Sequence, residues 1–220
     1  MIGRYASRAV FFLGVVYAIT LVLGLFSLKS PKDAIGDPFF SILEFLILFM
    51  APLMLVSMIE LHVSASSENK IYSLTGLAFM IMFTTITCSI HFVILTVSRP
   101  LFATGLPLAP QLLAYKWPSV AYSLDILAWD VFFGLSLLSV APLFNKNRLE
   151  RTIRLLLVFA SALCFAGLVG VPLANMQIRM IGVIGYAGVA PIAFLLLAVY
   201  FGRSRRVAAP RQGLGSTLES

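Results

Sequence analysis

The sequence predicts an all-α, polytopic integral membrane protein: a bundle of six transmembrane helices with both termini on the cytoplasmic side. The first observation is composition, since 60% of the 220 residues are hydrophobic, 11% are charged and the mean hydropathy is +0.99. That is more apolar material than one water-soluble domain buries. The second is the presence of six long apolar segments. The third is the uneven distribution of basic residues between the two sides.

The apolar segments are long enough to cross a bilayer as helices. A span needs about 20 residues, because a helix rises about 1.5 Å per residue across roughly 30 Å of hydrocarbon. The segments are continuously apolar, which favours helices over the alternating strands of a membrane barrel. We expect one transmembrane domain at 1–202 and a disordered, basic cytoplasmic tail at 203–220. The predicted spans are approximately 9–28, 39–59, 71–98, 120–143, 155–173 and 181–201.

Basic residues are concentrated on the side of the termini. Eleven fall there: Arg4, Arg8, Lys70, Lys146, Arg148, Arg151, Arg154, Arg203, Arg205, Arg206 and Arg211. Five fall on the other side: Lys29, Lys32, Arg99, Lys116 and Arg179. The positive-inside rule therefore predicts cytoplasmic termini, and we expect the location to be a bacterial cytoplasmic membrane. The tail would contact anionic headgroups, whereas the absence of aromatic partners or a recognisable module argues against nucleic acid.

Two connections have interpretable sequences. Residues 99–119 contain four prolines, so they cannot form one helix, and much of the stretch is apolar. It lies in the membrane interface or folds over the bundle, as a passive connector or as a lid. In the short connection before the fifth span, Asn147 is placed to cap a helix and Glu150 follows three residues later, which indicates a capping box.

Small residues in the last two spans predict close packing of these helices. Small side chains allow two backbones to approach, which is how helices associate where lipid provides no hydrophobic drive. The fifth span carries Ala162, Ala166 and Gly170, and the sixth carries Gly182, Gly185 and Gly188.

Ionisable residues inside the spans all fall in the predicted outer half of the bilayer. They are Glu44 on the second span, His91 on the third, and Asp125 and Asp130 on the fourth. Charges in hydrocarbon are costly, so such groups normally face the bundle interior and find partners there. We expect Glu44, His91 and Asp125 to converge. Asp130 is five residues after Asp125, about 140° around an α-helix, so the two carboxylates are not expected to face one point.

The polar cluster predicts a pocket open to the outside. Thr87 lies on the same helical face as His91, while Tyr122 and Trp129 share a face with Asp125. The predicted ligand-binding residues are Glu44, Thr87, His91, Tyr122, Asp125, Trp129 and Asp130.

Three functional interpretations are compatible with this pocket. The leading hypothesis is binding or translocation of a proton, a cation or a small amine-like ligand, because a carboxylate beside an imidazole holds protons and cationic groups. The second is an intramembrane metal-dependent hydrolase using Glu44, His91 and Asp125, although a single histidine is a poor zinc site. The third is a structural or accessory subunit in which the cluster only holds helices together. No cofactor is predicted, an enzyme is not favoured, and we expect a homo-oligomer or a membrane partner because six spans are few for a transporter.

Overall fold

The computed structural model describes residues 2–30, 35–106 and 108–208. Over these residues the protein is all-α, and six helices are long and apolar enough to cross a membrane. The chain is therefore an integral membrane protein in contact with a lipid bilayer. The six helices are α1 (Ile2–Phe26), α2 (Phe39–Ser64), α3 (Ser67–Ala103), α4 (Val120–Leu143), α5 (Arg148–Leu168) and α6 (Met176–Arg203).

The helices extend beyond several predicted spans. Helix α1 begins at Ile2, and the last helical segment continues to Ala208, so the beginning of the predicted tail is helical. The remainder of that tail, residues 209–220, lies outside the described residues.

Successive helices pack side by side, and α1 closes the bundle by packing against the last helix. The described ends of the chain, Ile2 and Ala208, and the connections 65–66 and 144–147 therefore lie at one end, which we call the terminal end. The described residues of the other connections, 27–30, 35–38, 104–106, 108–119 and 169–175, lie at the other end, which we call the distal end.

The half of the bundle nearer the terminal end has an apolar core. Fully buried Met54, Met80, Phe83, Phe133 and Leu137 fill it, and Phe83 contacts Phe133 with a ring-centroid separation of 5.1 Å. Hydroxyls in this half bond to carbonyl groups, as in the 2.7 Å bond that Ser136 donates to the Gly76 carbonyl. Ser136 thus finds its hydrogen-bond partner on the neighbouring helix inside the apolar core.

The predicted close packing of the fifth and sixth spans is confirmed. The predicted Gly170 takes part, since a Cβ there would lie 2.7 Å from the Arg179 backbone nitrogen, but the other contacts involve different small residues on α5. A Cβ at Gly167 would lie 2.8 Å from the Gly182 nitrogen, and a Cβ at Gly185 would lie 2.8 Å from the Ala160 carbonyl oxygen. Ala162 and Ala166 are instead exposed. The backbones of α5 and α6 meet where no side chain intervenes, which is the arrangement that small residues permit.

In the described part of the chain, three π-helical segments interrupt the α-helical regions. They are Ile94–Ser98 in α3, Leu127–Phe133 in α4 and Ile184–Val189 in α6. Such segments are rare and are often found at functional sites, because the wider turn changes which residues share a face. The second segment contains Asp130, the first begins three residues after His91, and the third begins five residues after Arg179.

Candidate functional site

Glu44, His91 and Asp125 meet in the interior of the bundle, although they come from three different helices. The Nδ1 atom of His91 shares a 2.6 Å hydrogen bond with Glu44 Oε2, and its Nε2 atom lies 3.4 Å from Asp125 Oδ1. Exposed fractions are 2% for Glu44, 0% for His91 and 1% for Asp125. The imidazole therefore stands between two buried carboxyl groups and links them.

Arg179 extends from α6 into this cluster, whereas the sequence predicted a position for Arg179 outside the spans. Its Nη2 atom donates to Asp125 Oδ2 at 3.1 Å and its Nε atom to Asp130 Oδ2 at 3.3 Å. Its Nη1 atom donates to the Tyr122 hydroxyl at 3.3 Å, and the guanidinium carbon lies 5.0 Å from the centre of the Tyr122 ring. We call the connected set Glu44, His91, Asp125, Arg179 and Asp130 the ionic network.

The position of Asp130 corrects an expectation from the sequence. Asp125 and Asp130 both face Arg179, whereas ideal α-helical geometry placed them about 140° apart. The π-helical segment Leu127–Phe133 explains the difference, because its i→i+5 hydrogen bonds widen the turn and bring residues five apart close to the same face. A local change in helix type thus gives one guanidinium two carboxylate partners.

Arg179 was assigned to a loop because the predicted sixth span began at residue 181. In the structure α6 begins at Met176, and Asn175 caps it by accepting hydrogen bonds from the Gln177 and Ile178 amides at 3.0 and 3.4 Å. Asn is among the preferred residues for this role. The capping residue was therefore the sequence signal that would have extended the helix to include Arg179.

A cavity of about 450 Å³ lies beside the network near the distal end. Its wall includes Glu44 and Tyr122 from the predicted site, and among the described residues Glu44 is the one acidic side chain that lines it. The other lining residues are Tyr17, Leu21, Ile35, Phe40, Leu43, Ile47, Phe102, Ala114, Tyr115 and Lys116. The cavity is thus largely apolar and aromatic, with one carboxyl group at its wall.

The connection between α3 and α4 folds against this site. Tyr115 packs on the His91 ring with a centroid separation of 5.8 Å, on Tyr122 at 5.3 Å and on Phe40 at 6.1 Å. Burial raises the pKa of the Tyr115 hydroxyl well above its ordinary value, so this side chain stays neutral. The connection therefore covers His91 and contributes an uncharged aromatic wall.

Five of the seven predicted site residues do not line the cavity: His91, Asp125 and Asp130 belong to the ionic network, and Trp129 and Thr87 lie outside both. Trp129 is 3% exposed and packs between Phe83 and Tyr186, at centroid separations of 4.6 and 4.7 Å. Thr87 is fully buried, and its hydroxyl has no hydrogen-bond partner in the described part of the chain. Trp129 shares a helix with Asp125, but the bulky indole packs into the apolar core instead of facing the cavity.

The donor atoms do not converge as a metal site requires. Glu44 and Asp125 contact opposite nitrogens of one imidazole, so no single point lies within bonding distance of all three side chains. Within the described ranges, no group of three or more His, Cys, Asp or Glu side chains is arranged to hold a metal ion. The geometry fits a chain of paired charges better than a chelate.

Comparisons with models of known protein families, with curated proteins and with solved structures find no match to this chain. Functional conclusions therefore depend on the geometry of the site itself.

Proposed function

We propose that this membrane protein binds a cationic group or a proton at Glu44, in the cavity near its distal end. The observation that carries the proposal is the position of the Glu44 carboxyl group, in the cavity wall and hydrogen-bonded to His91. His91 connects it to Asp125, which Arg179 holds in turn. A carboxylate fixed in this way is an electrostatic partner for a positive charge in a largely apolar cavity, where such pairing is stronger than in water.

The same connectivity gives His91 a second role. An imidazole with one nitrogen on each of two carboxyl groups is able to exchange a proton between them, since each nitrogen donates or accepts according to protonation state. Binding of a cation at Glu44 would then change the interaction between Asp125 and Arg179. The network would link occupancy of the cavity to contacts between α2, α3, α4 and α6.

Binding is better supported than translocation. The core on the terminal side of the network is packed with apolar side chains, among them Met80, Phe83 and Phe133. An ion crossing this region would be desolvated without a polar partner, at a cost of several kcal/mol or more. We therefore favour a site loaded from the distal end.

The distal end is proposed to face away from the cytoplasm. Without Arg179, which is buried in the ionic network, the sequence leaves Lys29, Lys32, Arg99 and Lys116 as the basic residues expected on the distal side, against eleven expected on the terminal side. The asymmetry supports cytoplasmic termini in a bacterial cytoplasmic membrane. Contact between the basic tail and anionic headgroups, and association with a second copy or a partner subunit, stay predictions.

The variant Glu44→Gln tests the proposal, because it removes the charge while keeping the shape of the side chain. The purified protein in uncharged detergent is heated with methylammonium, sodium or calcium chloride at matched ionic strength. We expect at least one cation to raise the unfolding temperature of the original protein. A ligand at one hundred times its Kd adds about 2.7 kcal/mol of stability.

Glu68→Gln is the matched control, since Glu68 is an exposed carboxylate near the terminal end. We expect the cation to raise the unfolding temperature of the Glu68→Gln control and to leave the unfolding temperature of Glu44→Gln unchanged. Both variants are expected to fold. Cation stabilisation that persists in Glu44→Gln would contradict the proposal. If Glu44→Gln fails to fold, the cluster serves to hold helices together, and the third interpretation of the sequence gains support.

A further inference from the structure

The shape of the cavity restricts which positive charge fits it. Its volume of about 450 Å³ lies within the range of roughly 300–1,000 Å³ that is typical of sites for organic molecules. A hard inorganic cation such as Ca²⁺ prefers about six to eight oxygen ligands, and Mg²⁺ prefers octahedral oxygen coordination. Among the described residues, the carboxyl oxygens in this wall come from Glu44. The cavity is therefore too large and too poor in oxygen for a bare metal ion.

Three helices contribute to the apolar part of the cavity wall. Leu21 comes from α1, Leu43 and Ile47 come from α2, and Phe102 comes from the end of α3. Removing apolar surface from water at such a wall favours a ligand with a hydrocarbon portion. Phe102 is itself 41% exposed, which leaves apolar surface available to a ligand.

Aromatic rings line the same cavity as the carboxyl group of Glu44. Tyr17, Tyr115, Tyr122 and Phe40 line the same cavity as Glu44, and Tyr115 and Tyr122 are arranged edge to face. The negative faces of aromatic rings attract organic cations, which lose their hydration more readily than small metal ions. Carboxylate and rings together form a site for an ammonium group.

We propose that the cavity binds a hydrophobic monoamine, with its ammonium group at Glu44 and its hydrocarbon portion against Leu21, Leu43 and Phe102. This inference rests on the proposed function and narrows it from any cation to one class of ligand. The exposed Lys116 in the same wall adds a second element of selectivity. Its positive charge repels molecules with more than one positive charge and weakens the approach of a monoamine.

The experiment compares four probes by calorimetric titration of the purified protein in one uncharged detergent at fixed concentration. n-Octylammonium has both an ammonium group and a hydrocarbon chain. n-Octanol lacks the charge, methylammonium lacks the long chain, and sodium lacks both the hydrogen-bond donors and the chain. We expect n-octylammonium to bind at least tenfold more tightly than each of the others. The octanol arm also corrects for partition of the probe into micelles.

Three variants locate the binding site. Glu44→Gln is expected to abolish the preference for n-octylammonium over n-octanol, and Glu68→Gln is expected to leave it unchanged. Lys116→Gln is expected to tighten n-octylammonium binding about two- to threefold, because it removes a like charge from the wall. Lys116 is exposed, so this variant is not expected to affect folding.

The outcomes separate this inference from the proposed function. If methylammonium or sodium binds in a Glu44-dependent manner as tightly as n-octylammonium, the proposal of a hydrophobic monoamine is wrong. The proposal of a cation site at Glu44 is then still supported. If n-octanol binds as tightly as n-octylammonium and no cation depends on Glu44, both proposals fail. Weaker n-octylammonium binding in Lys116→Gln would overturn the placement of the ammonium group in this cavity, because removing a like charge from the wall is expected to tighten the binding of a monocation.

Discussion

Two buried glutamates, Glu44 and Glu150, are satisfied in opposite ways. Glu150, which is 6% exposed, accepts hydrogen bonds from the Asn145 and Lys146 amides at 3.2 and 2.8 Å and from the Asn147 side chain at 2.9 Å. Its own amide donates to Asn147 at 3.1 Å, so the partners all lie within a few residues. Glu44 instead bonds to His91, 47 positions away in the chain.

The difference teaches how to separate architectural from functional acids in this protein. The Glu150 cluster is a local capping arrangement at the start of α5. Because its members are neighbours in the chain, it does not depend on how α5 packs against other helices. The Glu44 cluster exists only when α2, α3, α4 and α6 are assembled, and it faces a cavity. Long-range satisfaction of a charge that remains next to an open space is typical of a binding site, whereas complete local satisfaction is typical of a helix end.

Removing the positively charged Arg179 side chain from the ionic network is expected to have the largest effect on stability. Arg179→Leu leaves Asp125 and Asp130 buried without their guanidinium partner, and breaking one side of a buried ion pair costs about 3–5 kcal/mol. Unfolding of the purified protein in mixed micelles measures the loss. Arg151→Leu is the control, because Arg151 is exposed near the terminal end. Equal stability of the two variants would mean that the network contributes little to holding the helices together.

A single methyl group at Gly182 is expected to have an intermediate effect. A Cβ there would collide with Asp130 Oδ1, so the Asp130 carboxylate, whose other oxygen bonds to Arg179, must shift. Overpacking of this kind costs about 1–3 kcal/mol. At Gly188 the nearest atom to a new Cβ is 3.9 Å away, so Gly188→Ala is expected to leave stability unchanged or raise it. Equal effects of the two variants in the same unfolding measurement would show that the close approach of α6 to Asp130 is unimportant.

Removing the local cap is expected to have the smallest effect and to leave ligand binding intact. Asn147→Ala deletes the side chain that caps α5, at a cost of about 1 kcal/mol. Calorimetric titration with n-octylammonium is expected to give the affinity of the original protein. The comparison fails if Asn147→Ala weakens this binding as much as Glu44→Gln, because the two glutamate clusters would then not be separable.

Features that depend on residues close together in the chain were predicted from the sequence more completely than features that depend on distant residues. The six helices were predicted because hydrophobic length is a property of contiguous residues. The capping box at Asn147 and Glu150 was predicted for the same reason. The sequence analysis also placed Glu44, His91 and Asp125 at similar depths, and the structure brings them together. Their role in ligand binding stays a prediction.

Other parts of the site depended on geometry that spacing does not encode. The π-helical segment turned Asp130 toward Arg179, against the expectation for an α-helix. Trp129 was expected at the pocket and instead packs on Phe83 in the core, because the neighbouring aromatic side chains leave a space for it there. Side-chain packing between helices decided these positions, and its details are not visible in one helix at a time.

By itself the sequence determined that the chain lies in a membrane as six helices and which ionisable groups the interior must accommodate, because hydrophobic length and the cost of burying a charge are local properties. The tertiary structure alone decided that Arg179 enters the interior, that one guanidinium holds two aspartates, and that a cavity opens beside Glu44. These features depend on the contact between helices distant in the chain and on a widened helical turn, which are settled only when the whole bundle packs.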